Sequence, residues 1–413
     1  MGTSFDPTTK INFRVKFCLR TVHHSFYALL FVTAAGCRRS DTSDSWNEAL
    51  SRQLRKDTSM IKIDTGFCNF IRKYQVPAIS VAVAKNDRLV YLKAFGLANL
   101  SDGVEVDNQS LFRIVESSMA ITSIAIKKLI AEGRLNYNSK VFGKDGILGS
   151  QYGRNQYGKW ITDLTIENLL KNQTGWYGEN DMIADVNFRQ LFPSSDSALS
   201  WALDHVLLKS VPEDTSNFSE FDYFVLGRVI EKVSGMRYEN CVKENILRPA
   251  GITDMELDRD GDRRPHEVSY YFPSPTPNSI GDLFRRRANG EVHENLYLSR
   301  GDAALGWIAS AADMVKLMIK YKTFESFHDS INILQATSLA DTAKAKNGYN
   351  FDWCSTDSTR DWWESFQFLG SSTIMMRSSS GFCCAVLINT FRPGTKFFPD
   401  LMRIIKMATA IRQ

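Results

Sequence analysis

The sequence predicts an α+β fold, because strand-like runs lie towards both ends of the chain and helical patterns lie between and after them. Ala78–Ala84 and Leu89–Phe95 are rich in residues that favour strands, and the polar residues between them predict a hairpin. Ser372–Arg377 and Cys383–Asn389 predict a second pair of strands. Between these pairs, apolar residues recur from Ile121 to Leu129 at the spacing of one helix face.

Further helices are predicted along the chain. Charged and apolar residues alternate along Trp46–Tyr74, which predicts a helix. This helix should end near the break before Pro77. Ile126 and Ile130 widen the apolar face of the helix that contains Ile121, so this helix should be buried on most sides, and Gly133 supplies its stop signal. Three more helices are predicted, the first with Thr165 as its cap: Leu164–Leu170, Phe218–Gly235 and Phe398–Ile411.

Composition limits the classes of function. The chain has 413 residues, 43% of them hydrophobic and 23% charged, and a net charge of +4, all ordinary for a globular protein. Its basic clusters, such as Arg285–Arg287, are short and lack interleaved aromatic residues, so no nucleic-acid partner is expected. The seven cysteines form no C-x-x-C pair and no zinc-type set, so neither a metal nor another cofactor is expected. Cys383 and Cys384 should point to opposite faces of a strand as free thiols.

The N-terminus has the composition of a targeting segment. Residues 1–43 are interpreted as a leader and linker, because residues 1–40 carry several basic residues and a single acidic one, Asp6. Phe26–Cys37 is apolar with a small-residue end, which suits a signal peptide or a point of membrane association, although it is short for a bilayer span. An Arg-rich, acid-poor leader equally suits a mitochondrial presequence. The sequence leaves the secretory and mitochondrial alternatives open, with a plain cytosolic start as a third.

One stretch carries a resemblance to a known family. Phe112–Met119 resembles the start of the active-site helix of the serine β-lactamase and penicillin-binding-protein superfamily, in its class C and esterase-like branch, where the pattern is Phe-Arg-Ile-x-Ser-x-x-Lys. Val76–Gly96, Tyr238–Met255 and Gly306–Met318 extend the resemblance, the last with Ser310 as a helix N-cap.

The resemblance implies a β-lactamase/transpeptidase-like fold for residues 44–413. The hairpin and the C-terminal strands would join in one antiparallel sheet with helices on both faces. A helical subdomain, roughly residues 134–305, would be inserted between the two halves of the sheet.

The first catalytic motif of that superfamily has lost both of its reactive side chains. Counted from Phe112, the position of the nucleophilic serine holds Glu116 and that of the lysine holds Met119. A serine hydroxyl needs an adjacent base to become a nucleophile, and methionine has no titratable proton. Ser123 and Lys127 share a helix face, but they lie deeper along the helix, where a buried serine is expected.

The other two motifs have changed as well. At the Tyr-x-Asn motif the first and third positions hold Phe218 and Glu220. The strand motif, which resembles Trp-Trp-His-x-Gly, keeps Trp363 but has Glu364 at the histidine and Phe366 at the glycine. A phenylalanine without a hydroxyl cannot shuttle a proton, and one in place of glycine would crowd the cleft. The loop after Leu170 holds Asn172 where relatives have histidine.

These losses predict a catalytically inactive relative that serves as a binding or regulatory scaffold. Its altered acidic and aromatic cleft would take a small molecule or peptide, or a cation if the three glutamates approach one another. The alternative is an active hydrolase built on paired carboxylates or other non-standard residues. A third interpretation places the glutamates in solvent while the remaining substituted side chains fill a dead pocket: Met119, Phe218 and Phe366.

Overall fold

The structure is a computed structural model, and it describes residues 60–176, 192–205, 219–259, 263–271, 298–321, 350–356, 361–368, 370–390 and 396–409. The predicted leader, the first part of the helix predicted at Trp46–Tyr74, and the site residue Phe218 lie outside these ranges. None of the described helices is long and apolar enough to cross a membrane.

The strands form two sheets. In chain order they are β1 Ala78–Lys85, β2 Arg88–Asn99, β3 Val104–Glu105, β4 Phe112–Arg113, β5 Glu256–Leu257, β6 Trp307–Ala309, β7 Asn350–Thr356, β8 Asp361–Phe368, β9 Ser371–Arg377 and β10 Phe382–Ile388. The larger sheet is antiparallel throughout and has the order β3-β2-β1-β10-β9-β8-β7. Because β1 pairs with β10, the N-terminal hairpin and the C-terminal strands share one sheet, which confirms the fold class. A small sheet in the order β4-β6-β5 was not predicted.

The helices confirm most of the sequence predictions. They are α1 Ile61–Tyr74, α2 Ser117–Ala131, α3 Lys159–Asp163, α4 Ile166–Leu170, α5 Ser195–His205, α6 Glu220–Ser234, α7 Tyr238–Val242, α8 Asp302–Leu305, α9 Ala311–Lys320 and α10 Phe397–Thr409. Thr165 caps α4 in a capping box, and the Ser310 hydroxyl accepts the Asp313 N–H at the start of α9. Gly235 ends α6 in the left-handed conformation.

The hairpin closes through a tight turn. Asn86 and Asp87 have φ values of 51° and 61°, and positive φ at both central residues is the requirement of a type I′ turn. The Asn86 N–H also donates to the carbonyl of Gly381 at 2.9 Å, which ties this turn to the one before β10. The polar residues between β1 and β2 therefore form the hairpin turn that the sequence predicted.

The large sheet divides the hydrophobic core. One face packs against α1 and α10 in a first cluster of apolar residues, which contains Phe67 and Leu401. The other face packs in a second cluster, which contains the buried residues of α2 and α6. Cys383 lies in the second cluster and Cys384 in the first, which confirms that adjacent residues of this strand face opposite sides. Cys68, Cys241, Cys383 and Cys384 are buried and form no disulfide.

Candidate active site

The turn before α2 is anchored by two strands, β6 and β9. Phe112 and Arg113 pair with β6, and the Ser371 hydroxyl of β9 donates to the Arg113 carbonyl at 2.6 Å. The next turn passes through Val115, whose φ is 44°. A β-branched residue at positive φ is a conformational outlier, and such strain persists only where the surrounding structure enforces it. The chain thus keeps a tightly held entry into α2 although the side chain that follows is no longer a serine.

A buried ion cluster supports this turn from behind. The Arg113 guanidinium is 2.9 Å from the Asp258 carboxylate and 3.8 Å from that of Glu267, and it lies 4.1 Å from the centre of the Tyr270 ring. The Tyr270 hydroxyl also accepts a hydrogen bond from the backbone N–H of Arg113 at 2.9 Å. Burial and the Asp258 charge raise the pKa of Glu267 to about 7, against the opposing effect of Arg113. Sequence reasoning missed this cluster because its members come from distant parts of the chain.

The two substituted positions of the first motif are both buried. Glu116 is the N-cap residue of α2 and is 5% exposed, while Met119 is fully buried in the core. Ser117 and Ser118 follow, also buried, and the Ser118 hydroxyl accepts the backbone N–H of Trp307 at 3.2 Å. The position of the lysine is therefore filled by a thioether that packs and cannot accept a proton.

Glu364 of β8 meets the start of α2. Its carboxyl is buried, and the Ser117 hydroxyl donates to Oε1 at 3.3 Å. Burial raises the pKa of Glu364 to about 8, with the Ser117 hydrogen bond acting in the opposite direction. The carboxyl is consequently protonated for the most part at pH 7. Phe366, two residues along the same strand face, is 1% exposed and belongs to the core. The backbone of Trp363 lies in β8, and its side chain is outside the described part of the structure.

The second motif lies at the start of α6. Glu220 is the first residue of that helix and is buried, and Ser219 caps it. Asn172, at the position of the family histidine, has a φ of 54° and accepts the Ser219 N–H through its side-chain oxygen. The Thr174 hydroxyl donates to Asp222 at 2.8 Å, so the loop after α4 is bonded to this helix at two points.

Burial of all three glutamates overturns one of the sequence interpretations. Glu116, Glu220 and Glu364 are between 1% and 5% exposed, so they do not extend into solvent. Their packing between the helix entries and the sheet is the reason. In the described ranges, no group of three or more acidic, histidine or cysteine side chains is arranged to hold a metal ion. The hydrogen bond between the Ser117 hydroxyl and Glu364 joins the first motif to the third.

The deeper serine, Ser123, is buried. The hydroxyl of Ser123 is buried and has no hydrogen-bond partner among the described residues, so it is not bonded to Lys127 one turn further on. Without a bonded base its hydroxyl stays a poor nucleophile, as the sequence predicted.

The profile of the Beta-lactamase family matches residues 57–408, which is most of the chain. The chain belongs to the beta-lactamase family. Among curated proteins of similar sequence, Protein flp from Staphylococcus aureus strain MRSA252 is 23% identical over 224 residues, 53% of this chain and 42% of that protein. A putative D-alanyl-D-alanine carboxypeptidase from Escherichia coli K12 is 25% identical over 185 residues, 43% of this chain and 42% of that protein. The chain thus spans less than half the length of these curated relatives.

Solved structures of the beta-lactamase fold superimpose on most of the chain. An octameric penicillin-binding protein homologue from Pyrococcus abyssi has a TM-score of 0.60 at 18% identity, covering 85% of this chain and 78% of its own. A class C beta lactamase from Rhodobacter sphaeroides has a TM-score of 0.57 at 16% identity, covering 84% of this chain and 99% of its own. At these identities the likeness establishes the fold alone, so chemistry must be argued from the site.

Proposed function

We propose that this member of the beta-lactamase family is catalytically inactive and acts as a binding or regulatory scaffold. One observation carries the proposal: the fully buried thioether of Met119 stands at the position of the family's proton acceptor. The nucleophile position holds the buried Glu116, whose carboxylate cannot form the serine ester of an acyl-enzyme. Buried Phe366 at the glycine position supports the same conclusion, because it fills the space beside β8 that a substrate would need.

The proposed ligand is a small molecule or a peptide in what remains of the cleft. The Escherichia coli relative is named a putative D-alanyl-D-alanine carboxypeptidase, so a short peptide ending in D-alanine is the first ligand to test. We expect no nucleic-acid partner, given the small net charge of +4. Delivery to the secretory pathway or to mitochondria, and membrane association through Phe26–Cys37, are part of the same proposal.

A turnover assay with matched variants tests the loss of catalysis. Purified full-length protein is incubated with a chromogenic cephalosporin and with a p-nitrophenyl ester, beside the Ser117→Ala variant as the matched control. We expect both proteins to match the buffer rate, because the Glu364 carboxyl bonded to Ser117 is mostly protonated at neutral pH and is then a poor base. Hydrolysis by the wild-type protein that the Ser117→Ala variant lacks would contradict the proposal.

The Ser117–Glu364 contact favours one alternative, a hydrolase in which Glu364 activates Ser117. The hydroxyl and carboxyl are 3.3 Å apart, within reach of proton transfer after a small adjustment. With a pKa of about 8, roughly one-tenth of the carboxyl is ionised at pH 7, so this activity would rise steeply towards pH 9. Ester hydrolysis at pH 9 that disappears in both Ser117→Ala and Glu364→Gln would select this alternative over the scaffold.

A further inference from the structure

A cavity of about 740 Å³ lies on the helical side of the molecule, between α5 and the loop at residues 151–155. None of the substituted motif positions that the structure describes lines it. Its volume is within the range of roughly 300–1,000 Å³ that small-molecule sites occupy. The cavity is thus a separate place at which a ligand can be considered.

One wall of the cavity is aromatic. Phe192 and Trp201 have ring centres 5.7 Å apart, and Trp201 stacks on His205 with ring centres 4.6 Å apart and an interplanar angle of 12°. These contacts hold the Trp201 ring in place, yet 38% of the residue remains exposed. A fixed and accessible tryptophan on a cavity wall offers apolar contact area at a small entropic cost.

A second wall of the cavity is a polar loop fixed to the end of α5. The Asp204 carboxylate accepts the backbone N–H groups of Arg154 at 2.8 Å and Asn155 at 2.9 Å. Gly153 has a φ of 75°, and a β-carbon there would lie 2.7 Å from Asp204 Oδ1. The loop therefore packs against α5 without room for a larger residue, and the spacing of the two walls is set by these bonds.

Two polar side chains on the walls remain available to a ligand. Neither the Ser200 hydroxyl nor the Arg154 guanidinium donates a hydrogen bond to any residue that the structure describes, and both line the cavity. The guanidinium presents a planar set of donors and the hydroxyl can donate or accept. Among the described residues that line the cavity, only Phe192 and Trp201 have large apolar side chains.

We propose that this cavity is a binding site for a saccharide ring, with its C–H face against Trp201 and its hydroxyl groups towards Arg154 and Ser200. The two walls require a ligand that is apolar on one face and rich in hydrogen-bonding groups around its edge. A sugar ring has both properties. A flat aromatic ligand could stack on Trp201, but it would leave the polar groups of the loop without partners, whereas the hydroxyl groups of a sugar can bond them.

Saturation-transfer NMR and calorimetry with the full chain test the proposal. The probes are glucose, N-acetylglucosamine and cellobiose, with benzoate as the aromatic comparison. We expect at least one saccharide to bind saturably with a Kd on the order of 1 mM, given the small size of the ligand. Trp201→Ala should weaken that binding by about tenfold or more. Trp160→Ala is the matched control, because Trp160 is 44% exposed and does not line the cavity.

A second variant guards against a folding artefact. Ser200→Phe should obstruct the cavity from the helix side and abolish saccharide binding, and thermal unfolding of each variant shows whether it remains folded. The proposal is overturned if no saccharide saturates, or if benzoate binds while the saccharides do not. It is also overturned if Trp160→Ala and Trp201→Ala lose binding equally.

Discussion

Replacing Glu364 by glutamine should change how the stability of the protein depends on pH. The wild-type carboxyl is buried beside Ser117, and burial raises its pKa from 4.5 to about 8. In the unfolded chain the same carboxyl ionises near its ordinary pKa. Between these two pKa values the folded state holds a proton that the unfolded state has lost, so stability falls as the pH rises. Glutamine keeps an oxygen that can accept the Ser117 hydroxyl and removes the titration.

The magnitude follows from the two pKa values. A tenfold change in a protonation equilibrium is worth about 1.4 kcal/mol, so the rise to about 8 corresponds to about 5 kcal/mol when both states are fully ionised. About 4 kcal/mol of this loss should fall between pH 5 and pH 9. Because Glu364 is 1% exposed, solvent does not screen the effect appreciably.

Urea unfolding at pH 5 and pH 9 measures this difference. The wild-type protein should lose about 4 kcal/mol more than Glu364→Gln between the two pH values, the contributions of all other groups cancelling in the comparison. Glu105→Gln, at an exposed carboxyl of β3, is the matched control and should follow the wild type. An equal pH dependence in wild type and Glu364→Gln would refute the burial of an ionisable carboxyl at this place.

Three further changes probe the parts that hold the site. Arg113→Met should lower the free energy of unfolding in urea by about 3–5 kcal/mol, since it leaves the buried Asp258 carboxylate without its cation. A loss below about 1 kcal/mol would contradict the burial of this ion pair. Met119→Ala should lower the free energy of unfolding by about 2–5 kcal/mol, because it opens a cavity in the core. Met119→Leu should lower it by less than about 1.5 kcal/mol, and equal losses in the two variants would mean that Met119 is not packed. Gly153→Ala should lower the thermal unfolding temperature, because its β-carbon would clash with Asp204, and an unchanged temperature would show that the loop is not held against α5.

The elements with strong local patterns could be predicted from the sequence. The β1–β2 hairpin, the apolar period of α2 and the caps at Thr165 and Ser310 each depend on residues close together in the chain, and the structure confirms them. The small sheet was missed, because β4, β5 and β6 have only two or three residues each and gain their stability from pairing across the fold. The strand β7 was likewise not predicted.

The candidate site, like the fold, could be predicted from the sequence only in part. Counting from Phe112 was enough to place Glu116 at the start of a helix, and the resemblance to the Trp-Trp-His-x-Gly motif placed Glu364 on a strand of the sheet. The sequence could not show that Glu364 would be buried against Ser117, because 247 positions separate these two residues. Nor could it reveal the strained backbone at Val115, which depends on β6 and β9 rather than on the neighbouring residues.

Intact-mass measurement after exposure to a penicillin and to a fluorophosphonate, at pH 7 and at pH 9, tests the proposed loss of acyl-transfer chemistry most directly. With Glu116 at the nucleophile position and Met119 at that of the base, the mass should remain that of the unmodified chain under all four conditions. A stoichiometric adduct that maps to Ser117, or to any serine of α2, would contradict it.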